Sequence, residues 1–216
     1  MTVSRLMLNK LLEKSESMKK LQKLALLLVI STMLAGCDSS IRLFDGKSLE
    51  GWVCDPLEQA GDWKVVDGEL LGENPGEQAS IIWTKQEFRD FEVELDYIAL
   101  VDDYDTGIFI RGLTHQVQIG ISRSLQKDMT ACIYAPEDEK GSYPGQTDKV
   151  ADIHKMGEWN HLKVIVTGLR IQTLLNGEPM VDYTGVALVD EGPIGLQLHG
   201  GVHMSVKFKN IKVREL

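Results

Sequence analysis

The chain predicts an all-β fold of antiparallel strands, on three observations. Short runs of alternating apolar and polar residues recur from residue 41 to 216. Asp67-Gly68 and Asn176-Gly177 each join two such runs, and these dipeptides favour the positive φ angles of tight hairpin turns. Beyond the leader region no segment sustains a 3.6-residue period. Many short strands with regular turn signals suggest a sandwich or a barrel.

The elements follow in order. WKVVDGELLG (63–72) is two apolar runs around a turn, a hairpin. SIIWT (80–84), FEVELDYIAL (91–100), TGIFIRG (106–112) and HQVQIG (115–120) read as strands, as do TACIYA (130–135) and HLKVIVTG (161–168). RIQTLLNGEPMVDY is a second hairpin, and GPIGLQLHG and VKFKNIKVREL (206–216) complete the set. Residues 136–159 break the rhythm: this stretch is polar, with two prolines and three glycines. So long a connection is either a lid or binding loop, or a surface excursion without function.

The N-terminal region reads as an export signal. KKLQK (19–23) precedes the apolar run LALLLVISTML (24–34), which is short for a membrane span of about 20 residues. Leu-Ala-Gly then precedes Cys37, a pattern that resembles the bacterial lipobox and implies cleavage before Cys37 and lipidation of its thiol. The expected organisation is a signal peptide over 1–36, a lipidated Cys and short tether over 37–41, and one domain over 42–216. That places the protein in the bacterial cell envelope, lipid-anchored to the membrane. Met18 is a better start than Met1 for such a signal.

Charge excludes one class of partner. The whole chain carries −9, and the segment 1–36 holds six basic and two acidic side chains, which leaves −13 on the remainder. Nucleic-acid affinity rests on Lys and Arg, so no nucleic-acid role is expected. Cys54 and Cys132 remain beside Cys37. Export permits a disulfide between them, two free thiols fit equally well, and no zinc-like CxxC spacing exists.

Alternation also picks out a candidate site. In GPIGLQLHGG (192–201) Ile194, Leu196 and Leu198 share one face, and Gly195, Gln197 and His199 share the other. In HQVQIG the polar face carries Gln116 and Gln118, and in TGIFIRG the face of Phe109 ends in Arg111. Solvent faces usually carry Lys, Glu and Thr, as Lys207 and Lys209 do in VKFKN. Amides, guanidinium and imidazole instead form paired hydrogen bonds with vicinal hydroxyls, so these strands predict a carbohydrate site if they are neighbours. A lone strand His is otherwise a satisfied structural group. FEVELDY offers a different candidate: Glu92, Glu94 and Asp96 on one face at two-residue steps. They are either a glycosidase carboxylate set or an acidic outer face.

Several pieces together resemble the 3-keto-disaccharide hydrolase domain family, formerly a domain of unknown function. They are LFDGKSLEGW (43–52), W-x-V-x-D-G-E-L (63–70), FRDFEVELDY, HQVQI, IYAP, GEWNHLKVIVTG, LNG, GPIGLQLHGG and VKFKNIKV, in family order over almost all of residues 42–216. The resemblance implies a concanavalin/LamG-like jelly-roll β-sandwich of two antiparallel sheets, with the site on the concave sheet. It implies secreted or lipid-anchored enzymes acting on small carbohydrates already oxidised at C3. Two positions depart from the pattern. Asp105-Thr106-Gly107 stands where the family has an Asn-Ser-Gly turn, and Gln116 stands where it has Glu.

A C3 ketone acidifies the hydrogen on C2, so a base, an electrophile for the enolate oxygen and a proton donor to the leaving oxygen suffice. On that chemistry the expected base or metal ligand is His199, because its ordinary pKa lies near working pH. Arg111 would hold the enolate, and Asp105 and Tyr134 would move protons. Gln116, Gln118 and Gln197 would bind hydroxyls, with His154 closing over them from the long loop. A divalent metal on His199, Asp105 and a Glu is a possible cofactor whose ligands the sequence does not define. The competing class is a non-catalytic, lectin-like module, for which Trp83 and Tyr143 would be the stacking residues. Trp52, Trp63 and Trp159 fall in family framework motifs.

Overall fold

The computed structural model describes residues 39–136, 138 and 141–216. Cys37 and the expected export signal lie outside the described residues. No helix among the described residues is long and apolar enough to cross a membrane.

Among the described residues fifteen strands follow one another: β1 (Ile41–Arg42), β2 (Trp52–Asp55), β3 (Trp63–Val66), β4 (Glu69–Glu73), β5 (Ser80–Phe88), β6 (Phe91–Ala99), β7 (Asp105–Ile110), β8 (Gln116–Ser122), β9 (Lys127–Asp128), β10 (Ile133–Tyr134), β11 (Asn160–Thr167), β12 (Arg170–Leu175), β13 (Glu178–Thr184), β14 (Gly192–Leu198) and β15 (Ser205–Glu215). A 3₁₀ turn, Leu57–Asp62, and a four-residue helix α1, Val150–Ile153, are the helical elements among them. Sheet I has the order β13-β12-β11-β6-β15-β4-β3, with β1 beside β15. Sheet II has the order β10-β8-β7-β14-β5-β2, with β9 beside β8. All pairings are antiparallel.

Both expected hairpins form. Asp67 and Gly68 have φ of 53° and 82°, and Asn176 and Gly177 have 52° and 87°, the two consecutive positive values of a type I′ turn. The predicted sandwich of two antiparallel sheets is the fold observed. Its core lies where alternation puts it: Phe91, Val93, Leu95 and Tyr97 of β6 face Ile108 and Ile110 of β7, Val117 and Ile119 of β8, and Ile194, Leu196 and Leu198 of β14 in one buried cluster. Each such side chain contributes about 1.5–3 kcal/mol on leaving water. Burial of this core fixes which residues of β7, β8 and β14 point outward, because a one-residue slip would invert both faces.

Two details differ from expectation, and a third decides between the alternatives left open for the cysteines. Asp105-Thr106-Gly107 is the start of β7 rather than a turn. The segment 136–159 is partly packed: Tyr143 and Val150 are buried, and Gly145 bridges to Ile133. Cys54 and Cys132 are both free thiols.

Candidate functional site

The outward faces of sheet II form successive rows. Tyr134 pairs with Gln116, Gln116 with Phe109, Phe109 with Gly195, and Gly195 with Trp83. One step along, Gln118 pairs with Gly107 and Gln197 with Ile81. A third step brings Asp105 beside Gly120, and His199 follows directly on β14. The three strands singled out by their polar faces are therefore neighbours, in the order β8-β7-β14.

Gly107 makes the floor possible. A Cβ there would lie 2.5 Å from Gln116 Nε2 and from the Val117 carbonyl. Without it, Gln116 reaches over β7 and its Nε2 donates to Gln197 Oε1 at 2.6 Å. That bond leaves Gln116 Oε1 as an acceptor and Gln197 Nε2 as a donor for a ligand. Thr106, on the buried side of β7, donates its hydroxyl to the Gln197 carbonyl and ties β14 to β7 beneath the amide.

The resulting cavity has a volume of about 260 Å³ and is lined by Asp105, Gln116, Gln118, Gln197, His199, Phe109, Tyr134, Tyr143, Ser122, Arg123 and Ser124. That is near the lower end for small-molecule sites, roughly 300 Å³, and suits one sugar unit. A larger hollow of about 460 Å³ lies over Ile165, Leu174, Pro179, Met180 and Val181. Its acid, Asp182, is bound by Arg170 and Gln172, and its Lys149 by the Pro179 carbonyl, so it offers fewer converging free polar groups than the cavity on sheet II.

The side chains of the cavity are held in distinct ways. Asp105 is buried, with Oδ1 accepting from Gln118 Nε2 at 2.7 Å and Oδ2 from the Arg123 backbone N–H at 3.0 Å. Tyr143 donates its hydroxyl to Gln118 Oε1 at 3.2 Å, and burial pushes its pKa well up, so it stays a donor. His199 has Nδ1 2.6 Å from the Gly200 carbonyl. A carbonyl only accepts, so Nδ1 is the donor, and in the neutral ring Nε2 bears the lone pair. Asn74, fully buried, donates to the His199 carbonyl at 3.0 Å and fixes the backbone there.

Six of the predicted site residues thus meet: His199, Asp105, Tyr134, Gln116, Gln118 and Gln197. Arg111 and His154 do not join them, which corrects both expectations. β7 ends at Ile110, and Arg111 takes φ of +54°, which turns its side chain off the row. Its NH1 donates to the Gly168 and Val189 carbonyls at 2.8 and 3.0 Å, and its NH2 donates to Asp90 Oδ1 at 3.1 Å and to the Arg89 carbonyl. It packs beside Gly192, at the opposite end of β14 from His199 and roughly 20 Å away along the strand. The side chain of His154 is fully buried rather than hinged over the cavity, with Nδ1 2.6 Å from Asp128 Oδ2 and Nε2 3.1 Å from the Tyr104 hydroxyl. Burial alone would raise the Asp128 pKa, and the bonds from His154 and Thr130 bring it below the usual value.

Arg123 and Asn74 were not legible as site residues. Arg123 follows the last residue of β8, where alternation stops, and it contacts both Asp103 and Asp105. Glu92, Glu94 and Asp96 lie on the outer face of sheet I, away from the cavity. Glu92 pairs with Lys163 at 2.7 Å and Arg214 at 3.0 Å, Glu94 with Lys212 at 2.6 Å, and Asp96 with His161 at 2.7 Å. They are an ion-paired surface, not a carboxylate dyad in a cleft.

A metal on His199, Asp105 and a Glu does not fit. Both Asp105 oxygens are taken by N–H donors, no Glu lines the cavity, and no group of three or more His, Cys, Asp or Glu among the described residues is placed to hold an ion.

A "putative glycosyl hydrolase" from Parabacteroides distasonis ATCC 8503 is similar at 24% identity and a TM-score of 0.58, over 83% of this chain and 84% of that one. The carbohydrate-binding module CBM66 from Bacillus subtilis superposes with a TM-score of 0.52 at 15% identity, over 76% and 96%. A Bacillus subtilis protein with a galectin-like fold superposes with a TM-score of 0.51 at 13% identity, over 84% and 96%. These likenesses establish the lectin-type jelly roll. No match was found among curated proteins. Residues 39–214 match the 3-keto-alpha-glucoside-1,2-lyase-like domain, and the chain belongs to that family.

Proposed function

We propose that this domain cleaves glycosides whose sugar carries a ketone at C3, by elimination across C1 and C2. The observation that carries the proposal is the His199 imidazole, with a proton fixed on Nδ1 and a free Nε2, on a sugar-sized cavity whose lining holds a single carboxylate. Ordinary glycosidases need two carboxyl groups about 5–9.5 Å apart. Here Asp105 stands alone, with both oxygens engaged. A C3 ketone removes the need for that pair.

His199 Nε2 takes the C2 proton, and the C–H electrons move into the ring to give an enolate with its charge on the C3 oxygen. Gln197 Nε2 is the free amide donor nearest that floor and suits the enolate oxygen. The enolate then collapses: a C1–C2 double bond forms, the C1–O bond breaks, and the departing oxygen takes a proton from the Tyr134 hydroxyl or from His199 Nε2–H. The products are an alcohol and a 1,2-unsaturated keto sugar, and addition of water would give net hydrolysis. Gln116 Oε1 accepts from a ring hydroxyl, while Gln118 is held between Asp105 and Tyr143 and keeps both in place.

The second reading is a carbohydrate-binding module without catalysis, favoured by the Trp83–Phe109 ring pair beside the amides, with centroids 5.7 Å apart. The experiment is incubation with a 3-keto-glucoside and its unoxidised parent, with mass spectrometry of the released sugar. Release from the keto sugar alone supports elimination, whereas binding without release supports the module. Lipid anchoring through Cys37 belongs to the same proposal and puts the site at the cell envelope. Loss of membrane association in Cys37→Ser is the expected result.

A further inference from the structure

We infer that the apolar strip beside the cavity is a subsite for a planar aryl group carried on the sugar's leaving oxygen. The inference rests on the elimination reading only in placing the sugar over the amide floor.

The strip continues the row that crosses the site. Phe109 pairs with Gly195, Gly195 with Trp83, and Trp83 with Val53, so these positions lie on one line across β7, β14, β5 and β2. Three inter-strand spacings make it about 14 Å long, enough for one or two fused rings. Gly195 is what allows a flat surface here. A Cβ at that position would lie 2.6 Å from Trp83 Cζ3, so the indole rests against the bare backbone of β14. Its ring stands 5.7 Å from Phe109, tilted by 37°. Phe109 lines the sugar cavity, which makes cavity and strip continuous. Val53 at the far end is 47% exposed, and Trp83 and Ile81 are half-buried.

The chemistry of the strip selects an aryl group over a second sugar. A sugar's hydroxyls need donors and acceptors. Beside the indole N–H, the side chains of the strip are hydrocarbon. The charged neighbours on this face, Asp55 and Lys85, lie one two-residue step along the strands, about 7 Å away. An aryl group gains stacking on the half-buried Trp83, which the buried Phe109 backs at one side, and loses no hydrogen bond.

Titration calorimetry of the folded chain with unoxidised phenyl glucoside, methyl glucoside and a glucose disaccharide tests this without turnover. Phenyl glucoside is expected to bind about tenfold more tightly than the other two. Trp83→Ala should remove that preference, and Trp83→Phe should keep most of it. Thermal unfolding checks that both variants fold. Equal affinities, no measurable binding of phenyl glucoside at millimolar concentration, or a preference that persists in Trp83→Ala would overturn the subsite. Aryl preference without cleavage of any 3-keto-glucoside would remove the elimination reading and keep the subsite. Cleavage without aryl preference would do the reverse.

Discussion

The two sheets turn very different polar faces outward. On sheet I, Glu92, Glu94 and Asp96 stand at alternate positions, and each meets a lysine or histidine side chain from the neighbouring strands β11 and β15. Burial alone would raise the Glu94 pKa, but Lys212 and its other cationic neighbours hold it below the usual value. Every charge there is answered, and nothing is left to act on a ligand. On sheet II the groups are three amides, two of them bridged to each other and the third bound to a buried carboxylate, and an imidazole. Their bonds to one another use only part of their capacity. Gln116 Oε1, Gln197 Nε2 and His199 Nε2 remain for a substrate. On the proposed reading, the density of charge misleads about where chemistry lies, and unused hydrogen-bonding capacity on a built floor is the better guide.

Substitutions can break or sharpen that contrast. The largest effect is expected at His199: His199→Ala should lower kcat on a 3-keto-glucoside by about 10²–10⁴-fold with little change in Tm. An unchanged kcat would remove the imidazole from the chemistry. Arg111→Ala should act on stability instead, by about 3 kcal/mol or more in denaturant unfolding. It strands three backbone carbonyls and Asp90. A variant of normal stability with no activity would return Arg111 to the site.

Asp105→Asn should cost about 1–3 kcal/mol, because an amide cannot accept from both Gln118 Nε2 and the Arg123 N–H. Asp128→Asn should flatten the acid limb of the stability profile. The folded-state pKa of Asp128 lies below its ordinary 3.8, so its contribution is present above that pH and lost as pH falls through the lower folded value. The smallest effect is expected on sheet I, where Glu92→Gln should change stability by no more than about 1 kcal/mol and leave turnover intact. Lost turnover there would revive the acidic face as a site.

Alternation carried most of this into the sequence. The core face of β14, the row positions of Gln116, Gln118 and Gln197, and the two I′ hairpins follow from period two and from Asp-Gly and Asn-Gly. The reading failed where the ladder ends. Arg111 shares a face with Phe109 by count, but the chain leaves β7 one residue earlier and takes a positive φ. Arg123 enters the cavity from beyond β8 for the same reason. His154 sits after a four-residue helix, too short for a 3.6-residue period to show, and its burial depends on Tyr104 and Asp128, distant in sequence. Asn74 is buried by a contact with residue 199 that no local pattern announces.

The central claim is that His199 removes the C2 proton of a 3-keto sugar. Comparing kcat/KM for a 3-keto-glucoside with hydrogen or deuterium at C2 tests it most directly. Proton abstraction at C2 gives a normal primary isotope effect, well above the small secondary effect of ordinary glycoside hydrolysis. A value near unity, with full release of the alcohol, would contradict the mechanism.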